Sequence, residues 1–155
     1  LEVVHRHHGT VDKFMGDGVL CHFGAASDTG TCAADALRCA EELRTAMVEW
    51  VTRRSRDGLH AFGFGIGLAG GRLVFGAVGS DERLEFTVIG TPVNTCSKLE
   101  KHTKPARAHV LLPLETYEAA LSQGFTPTLP FKKAPAVTVD GISEPLDLAV
   151  VLRDA

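Results

Sequence analysis

Lys13-Phe14-Met15-Gly16-Asp17-Gly18 sets a cation and an anion four residues apart, with the carboxylate enclosed in a Gly-Asp-Gly turn. The flanks, Gly9-Thr10-Val11 and Val19-Leu20-Cys21-His22-Phe23, read as two short strands. A glycine-flanked Asp between strands predicts a tight hairpin, because glycine supplies the positive φ that such turns need. Asp17 then has two readings. It is a turn residue chosen for its backbone chemistry, or a carboxylate held out as a ligand for a hard cation such as Mg²⁺, which prefers oxygen donors.

Working outward, the pattern predicts strands over 10–14 and 19–23 and a long helix over 31–55. Leu1-Glu-Val-Val-His-Arg-His-His8 reads as the tail of a helix in a chain that begins without Met, so the sequence is read as a fragment of something longer. In the long helix Ala33, Leu37, Ala40, Leu43, Met47, Trp50 and Val51 recur at three- and four-residue intervals, while Arg38, Glu41, Arg44 and Arg53 stand mostly elsewhere. Asp28, Thr29 or Thr31 can cap it and Gly58 can end it. Phe62, Phe64, Ile66 and Leu68 then alternate with Gly63, Gly65 and Gly67. That strand has one bulky face and one bare face, open to close approach by a helix, another backbone or a ligand. Gly70-Gly71 leads to strands over 72–78 and 84–89. Thr91 and Pro92 start a helix that runs to about 104, with Thr91 as its cap. A strand over 108–112, a helix over 114–123, a low-order stretch containing Pro127, Pro130 and Pro135, and strands over 136–139 and 145–152 complete the chain. Strands and helices alternate without linker or repeat, which predicts one domain of α/β or α+β class with a sheet covered by helices.

The 155 residues are 45% hydrophobic, enough to build a real core. A net charge of −3 gives no strong pull toward nucleic acid. Cys21, Cys32, Cys39 and Cys96 form no C-x-x-C pair; Cys32 and Cys39, two turns apart on one helix, are expected to pack as small apolar groups. The absence of a disulfide framework fits a reducing, cytoplasmic setting. No apolar run spans a bilayer, so any membrane anchor is expected outside this chain.

Gly65-Ile66-Gly67-Leu68-Ala69-Gly70 matches G-x-G-x-x-G literally, but its glycines sit inside a strand with another strand following, so it is not a dinucleotide loop. His5, His7 and His8 read as solvated residues of a helix tail, Lys132-Lys133 as a surface pair, and neither Ser27 nor Ser97 has a nucleophile's His/Asp company. Asn94 and Lys98 share one helix face near its N-terminus. They read either as ordinary polar helix residues or as an amide and a cation aimed, beside a positive helix end, at a ribose and a phosphate.

Three linked segments carry more than any one motif: Gly9 to Gly24 (GTVDKFMGDGVLCHFG), Ile66 to Ser80 (IGLAGGRLVFGAVGS) and Phe86 to Lys101 (FTVIGTPVNTCSKLEK). In order and separation they resemble the catalytic domain of the class III adenylate/guanylate cyclases. The resemblance implies an α+β sandwich, a ferredoxin-like, palm-type sheet rich in antiparallel pairs with helices packed on it. It implies that Asp17 is the second of two metal-binding aspartates, in a site for two Mg²⁺ or Mn²⁺ ions. Lys13 looks like the base-recognising lysine, and Thr87 stands where many members have its Asp partner, a pairing that points to ATP. Asn94 matches the residue that orients the ribose. Lys98 stands where an arginine usually stabilises the transition state. The implied reaction is attack of the ribose 3′-hydroxyl on the α-phosphorus of ATP, giving 3′,5′-cyclic AMP and pyrophosphate.

The chain also departs from that pattern. The first metal-binding aspartate and its strand are expected before Leu1, and neither Asp12 nor Asp28 is placed to substitute. Ile142 stands near a lysine of some relatives, and Thr91 where Asp or Asn is common. The resemblance implies a homodimer in which Lys13, Thr87, Asn94 and Lys98 face one pocket and the partner supplies the metal aspartates. Two readings follow: most of an adenylate cyclase domain, active in its full-length context, or a degenerate or truncated cyclase homology domain that binds a nucleotide or a partner without turnover.

Overall fold

A computed structural model describes residues 1–25 and 28–154; Ser27 lies outside the described residues. The elements run α1 (Glu2–Arg6), β1 (Thr10–Met15), β2 (Gly18–His22), α2 (Cys32–Arg56), β3 (Ile66–Gly67), β4 (Val74–Ser80), β5 (Arg83–Ile89), α3 (Thr91–His102), β6 (Ala108–Pro113), α4 (Leu114–Ser122), β7 (Lys132–Val137) and β8 (Leu146–Leu152). The class is α+β, with antiparallel pairs dominant. Instead of the expected single sheet, the described strands form a β1-β2 hairpin, a β4-β5 hairpin and a four-stranded sheet in the order β3-β6-β8-β7. In that sheet only β3 and β6 run parallel.

The four-stranded sheet holds the core by the period-2 alternation of its strands. Val110 and Leu112 of β6 and Ala149 and Val151 of β8 face α2 and α4, meeting Ala34, Leu37 and Ala120. Leu111 of β6 and Leu148 and Val150 of β8 face the other way, onto Leu99 of α3. Helices thus cover both faces. Glu41, expected off the apolar stripe of α2, is buried, and its Oε2 accepts the N–H groups of Thr128 and Leu129 at 2.8 Å each. That carboxylate pins the proline-containing stretch, whose backbone has no ladder of its own there. The buried residues of α2 all fall between Ala34 and Glu41, so the stripe's outer members, Met47, Trp50 and Val51, are only half-buried or less.

Helix ends differ in detail from the sequence reading. Thr31 holds the N-cap position of α2, but its hydroxyl donates to Asp35 Oδ2 (2.9 Å), and the free amide of Ala34 is satisfied by Gln123 Oε1 at 3.0 Å. In α3 the cap is Gly90; Thr91, expected there, is already helical, with Pro92 next to it. At the far end of α2, Leu59 N–H reaches Arg54 O and Gly58 N–H reaches Ser55 O, a closure that stops the helix where Gly58 predicted.

The strand expected over 62–68 contracts to Ile66–Gly67, paired on one side with β6. Its bare face is nonetheless used as the alternation implied. A Cβ on Gly67 would lie 2.3 Å from Cys96 O and 2.5 Å from Glu100 N, and one on Gly65 would lie 1.9 Å from Thr103 Oγ1. The missing side chains let α3 lie directly on β3. The closing hairpin also shifts: β7 occupies 132–137, not 136–139, and Lys132, Lys133 and Pro135 stand exposed on an edge strand, where a proline is tolerated and lysines block further pairing. The four cysteines are free, and burial pushes the Cys39 thiol up to about 12, consistent with packing as an apolar group.

Two stability predictions follow from this packing. Gly67→Ala must move the α3 backbone, since the colliding atoms are main-chain; we expect a loss of about 1–3 kcal/mol, read by urea unfolding. His22 is buried on β2 with its ring 5.5 Å from that of Phe75. Burial holds its pKa below 6.5, with Asp12 pulling weakly the other way. The folded chain therefore binds this proton less well than the unfolded one. The stability gained by keeping His22 neutral is full above about 6.5 and is lost as pH falls through the lowered value. In thermal melts from pH 7 to pH 5, His22→Phe should show a smaller fall in Tm than the parent.

Candidate functional site

The β1-β2 hairpin carries two of the sequence-predicted residues, Lys13 within β1 and Asp17 in the turn. Met15 pairs with Gly18 across a two-residue turn, and Gly16 takes φ +61°. A positive φ at the first central position matches a type II′ hairpin turn and explains the glycine. Asp17 is exposed at the tip. Lys13 lies within β1, two residues or about 7 Å of strand before Met15 at the usual rise. The hairpin therefore separates these two charges.

Lys13 and Thr87 are brought together, through a residue that the sequence reading passed over. Val11 pairs with Cys21, but Lys13 pairs with Leu20, so Asp12 is the extra residue of a β-bulge. The bulge turns the Asp12 side chain inward, leaving it 2% exposed. Its Oδ2 accepts a hydrogen bond from Thr87 Oγ1 at 2.9 Å and lies 3.6 Å from Lys13 Nζ. Thr87 is buried on β5, and Lys13 keeps its head toward solvent. One carboxylate thus ties the hairpin to the β4-β5 ribbon and gathers a cation, an anion and a hydroxyl. The signal for Asp12 was its place beside Lys13 in a strand; the bulge that puts both on one side has no glycine or proline to announce it.

Asn94 and Lys98 stand one turn apart on α3, Asn94 exposed and Lys98 partly buried. The Lys98 stem lies against Gly141 in the β7-β8 connection: a Cβ there would be 2.8 Å from Cδ and Cε and 3.0 Å from Nζ. Gly141, at φ +87°, gives the lysine a backbone floor to lie on. Ile142 beside it packs into the core under α3 and presents no charge. Thr87 and the pair of Asn94 and Lys98 are carried by consecutive elements, since α3 begins four residues after Thr87. No hydrogen bond or ion pair joins the two groups among the described residues.

The described residues do not assemble a metal site. No group of three or more His, Cys, Asp or Glu side chains is gathered among them. Asp17 is a single exposed carboxylate, and Asp12 is occupied by Thr87 and Lys13. Asp28 accepts from Gly30 N–H in its own turn. Of the N-terminal histidines, His7 is not simply solvated as expected: its Nε2 meets Glu42 Oε2 at 2.6 Å, and Arg6 pairs with the same carboxylate. Those contacts hold Glu42 below the usual carboxylate range, His7 contributing most.

Large apolar side chains stand exposed on the two hairpins that carry Lys13, Asp12 and Thr87. Phe14, Met15 and Val19 on the first hairpin and Val74, Leu84, Phe86 and Ile89 on the second are exposed, Phe14 at 69% and Phe86 at 68%. No helix among the described residues is long and apolar enough to cross a membrane.

Comparison with known proteins agrees with this architecture. The chain is similar to the crystal structure of the guanylyl cyclase Cya2 (28% identity, TM-score 0.75), covering 97% of this chain and 73% of that one. It is also similar to the adenylyl cyclase CyaB from P. aeruginosa (26% identity, TM-score 0.80), covering 99% of this chain and 78% of that one. Among curated sequences it is 33% identical over 147 residues to the uncharacterized protein Rv1319c of Mycobacterium tuberculosis, matching 95% of this chain. It spans about a quarter of the length of such relatives. The family described as the adenylate and guanylate cyclase catalytic domain matches residues 2–142, and the chain belongs to that family of class III nucleotide cyclase domains.

Proposed function

We propose that this chain is the catalytic domain of an adenylate cyclase, forming 3′,5′-cyclic AMP and pyrophosphate from ATP as a homodimer. The observation that supports the reading is the Lys13–Asp12–Thr87 cluster, in which one carboxylate holds an ammonium and a hydroxyl close to each other. Lys13 and Thr87 recognise the base. Asn94, at the exposed start of α3, holds the ribose so that its 3′-hydroxyl lies in line with the α-phosphorus. Lys98 neutralises the charge that grows on the α-phosphate as the P–O bond to pyrophosphate breaks. Catalysis of this kind is mainly positioning and charge stabilisation. Lys98 acts as a point charge, because an ammonium lacks the planar fork with which arginine grips two oxygens.

Dimer formation is supported by the uncovered large apolar side chains of the two hairpins. We assign Asp17 to a divalent cation, Mg²⁺ or Mn²⁺, as one donor of a set that this chain's described residues do not complete. The incomplete set also favours a second reading, a homology domain that binds nucleotide without turnover. Production of cyclic AMP and cyclic GMP by the full-length protein, supplied with Mg²⁺ or Mn²⁺, decides between them. A dimer that makes neither product from ATP or GTP retires the enzyme reading.

Two substitutions test the assigned roles. Lys98→Ala should lower kcat about 10²- to 10³-fold with KM nearly unchanged, since the charge it meets develops mainly in the transition state; a raised KM with normal kcat contradicts that role. Gly141→Ala should displace the Lys98 stem and strain a left-handed residue, costing about 1–2 kcal/mol in stability and lowering kcat in the same sense as Lys98→Ala. Steady-state kinetics beside a thermal melt separates the two effects.

A further inference from the structure

We propose that Asp12 is the positioning residue that fixes the polarity of the Thr87 hydroxyl, and through it the preference of the site for a 6-amino purine over a 6-oxo purine. This rests on the reading of Lys13 and Thr87 as base-recognising residues. A threonine hydroxyl has one proton to donate and two lone pairs to accept with. Left free, it can meet a base amino group or a base carbonyl by rotating. At 2.9 Å from Asp12 Oδ2 it cannot choose, because an ionised carboxylate accepts only, so Thr87 must donate inward. The proton is committed and the lone pairs remain for the ligand. An acceptor at that place matches the exocyclic amino group of adenine and opposes the 6-carbonyl of guanine or hypoxanthine.

The surroundings hold this arrangement in place. Asp12 is 2% exposed, so water does not compete for its oxygen, and the Lys13 ammonium at 3.6 Å steadies the charge. The β-bulge between Val11 and Lys13 aims the carboxylate at β5, which an unbroken strand could not do with both side chains on one side. Lys13, as a donor, complements a ring nitrogen that carries no proton, so the two groups select the same base edge. A buried polar group left facing one of its own kind is costly, and sites built on such a match reject the mismatched ligand strongly.

The test uses the full-length protein, with ATP and inosine triphosphate as the pair that differs at the 6-position and lacks the 2-amino group of GTP. Turnover of each is measured, and independently the displacement of a fluorescent ATP analogue by each. In Asp12→Asn the amide can donate to Thr87 and free its proton, so the ATP-to-inosine-triphosphate preference should fall about tenfold. Thr87→Val should lose the preference likewise, Thr87→Ser should keep it, and Asp12→Asn placed on Thr87→Val should change it no further. Asp12→Leu, similar in shape and without polarity, serves if the Asn variant does not fold. The proposal fails if Asp12 variants weaken both nucleotides equally, as a structural role would, or if they shift the preference as much without the Thr87 hydroxyl as with it. If the protein prefers ATP in displacement but makes no cyclic product, the cyclase reading falls and the displacement arm still decides the role of Asp12. If neither nucleotide binds, both fall together.

Discussion

The approach of α3 to β3 is the constraint on which the rest of the arrangement depends. Two glycines, Gly65 and Gly67, remove the side chains that would hold a helix at its ordinary distance from a strand, and the Cys96 carbonyl and Glu100 amide occupy the space. Helix α3 is then fixed in depth from beneath by Leu99 in the core and from the side by the strand. The position of Asn94 and Lys98 follows, because both project from a helix that cannot slide. Gly141 completes the placement at the outer end of Lys98. A side chain at any of these three glycines acts on the same cation, although none of them carries a functional group.

The second fixed relation is polar. The β1-β2 hairpin and the β4-β5 ribbon are separate sheets, so no backbone ladder joins them. Their link runs through Thr87 to Asp12, with the buried His22 ring against Phe75 beside it. A buried carboxylate needs partners to be tolerable, and here Thr87 and Lys13 supply them. The same contacts that satisfy Asp12 place Lys13 and Thr87 at one point in space. Structural satisfaction and the proposed base recognition are therefore one interaction viewed from inside and outside.

Much of this was legible in the residues, for reasons that differ by element. The hairpin at Gly16-Asp17, the helices starting near Cys32 and Pro92, and the strand over 108–113 follow from local rules: turn chemistry, apolar periodicity and a buried run between breakers. The glycine-alternating stretch announced a close approach correctly, yet its strand shortened to two residues, because ladder length depends on what pairs with it and only β6 does. Glu41 was misjudged since helical periodicity ranks it as polar, whereas its burial is set by the amides of Thr128 and Leu129, 87 and 88 residues away. Lys13 and Thr87 were recognisable by resemblance, but the carboxylate between them was not. A bulge without glycine or proline leaves no mark in a pattern of alternating residues, and Asp12 was legible only as Lys13's neighbour.

The β1-β2 hairpin bears on assembly under the proposed reading. Lys13 lies within β1 and Asp17 in the turn beyond its end. Lys13 is tied by Asp12 to the ribbon of its own chain, while Asp17 projects from the exposed tip. No group of three or more His, Cys, Asp or Glu side chains gathers around Asp17 among the described residues. The uncovered apolar side chains flank both hairpins, Phe14 and Val19 on one and Val74 and Phe86 on the other. A second copy packed on that face would bury them. In the proposed homodimer one hairpin serves two pockets, with the lysine of its first strand in one and the aspartate at its tip in the other.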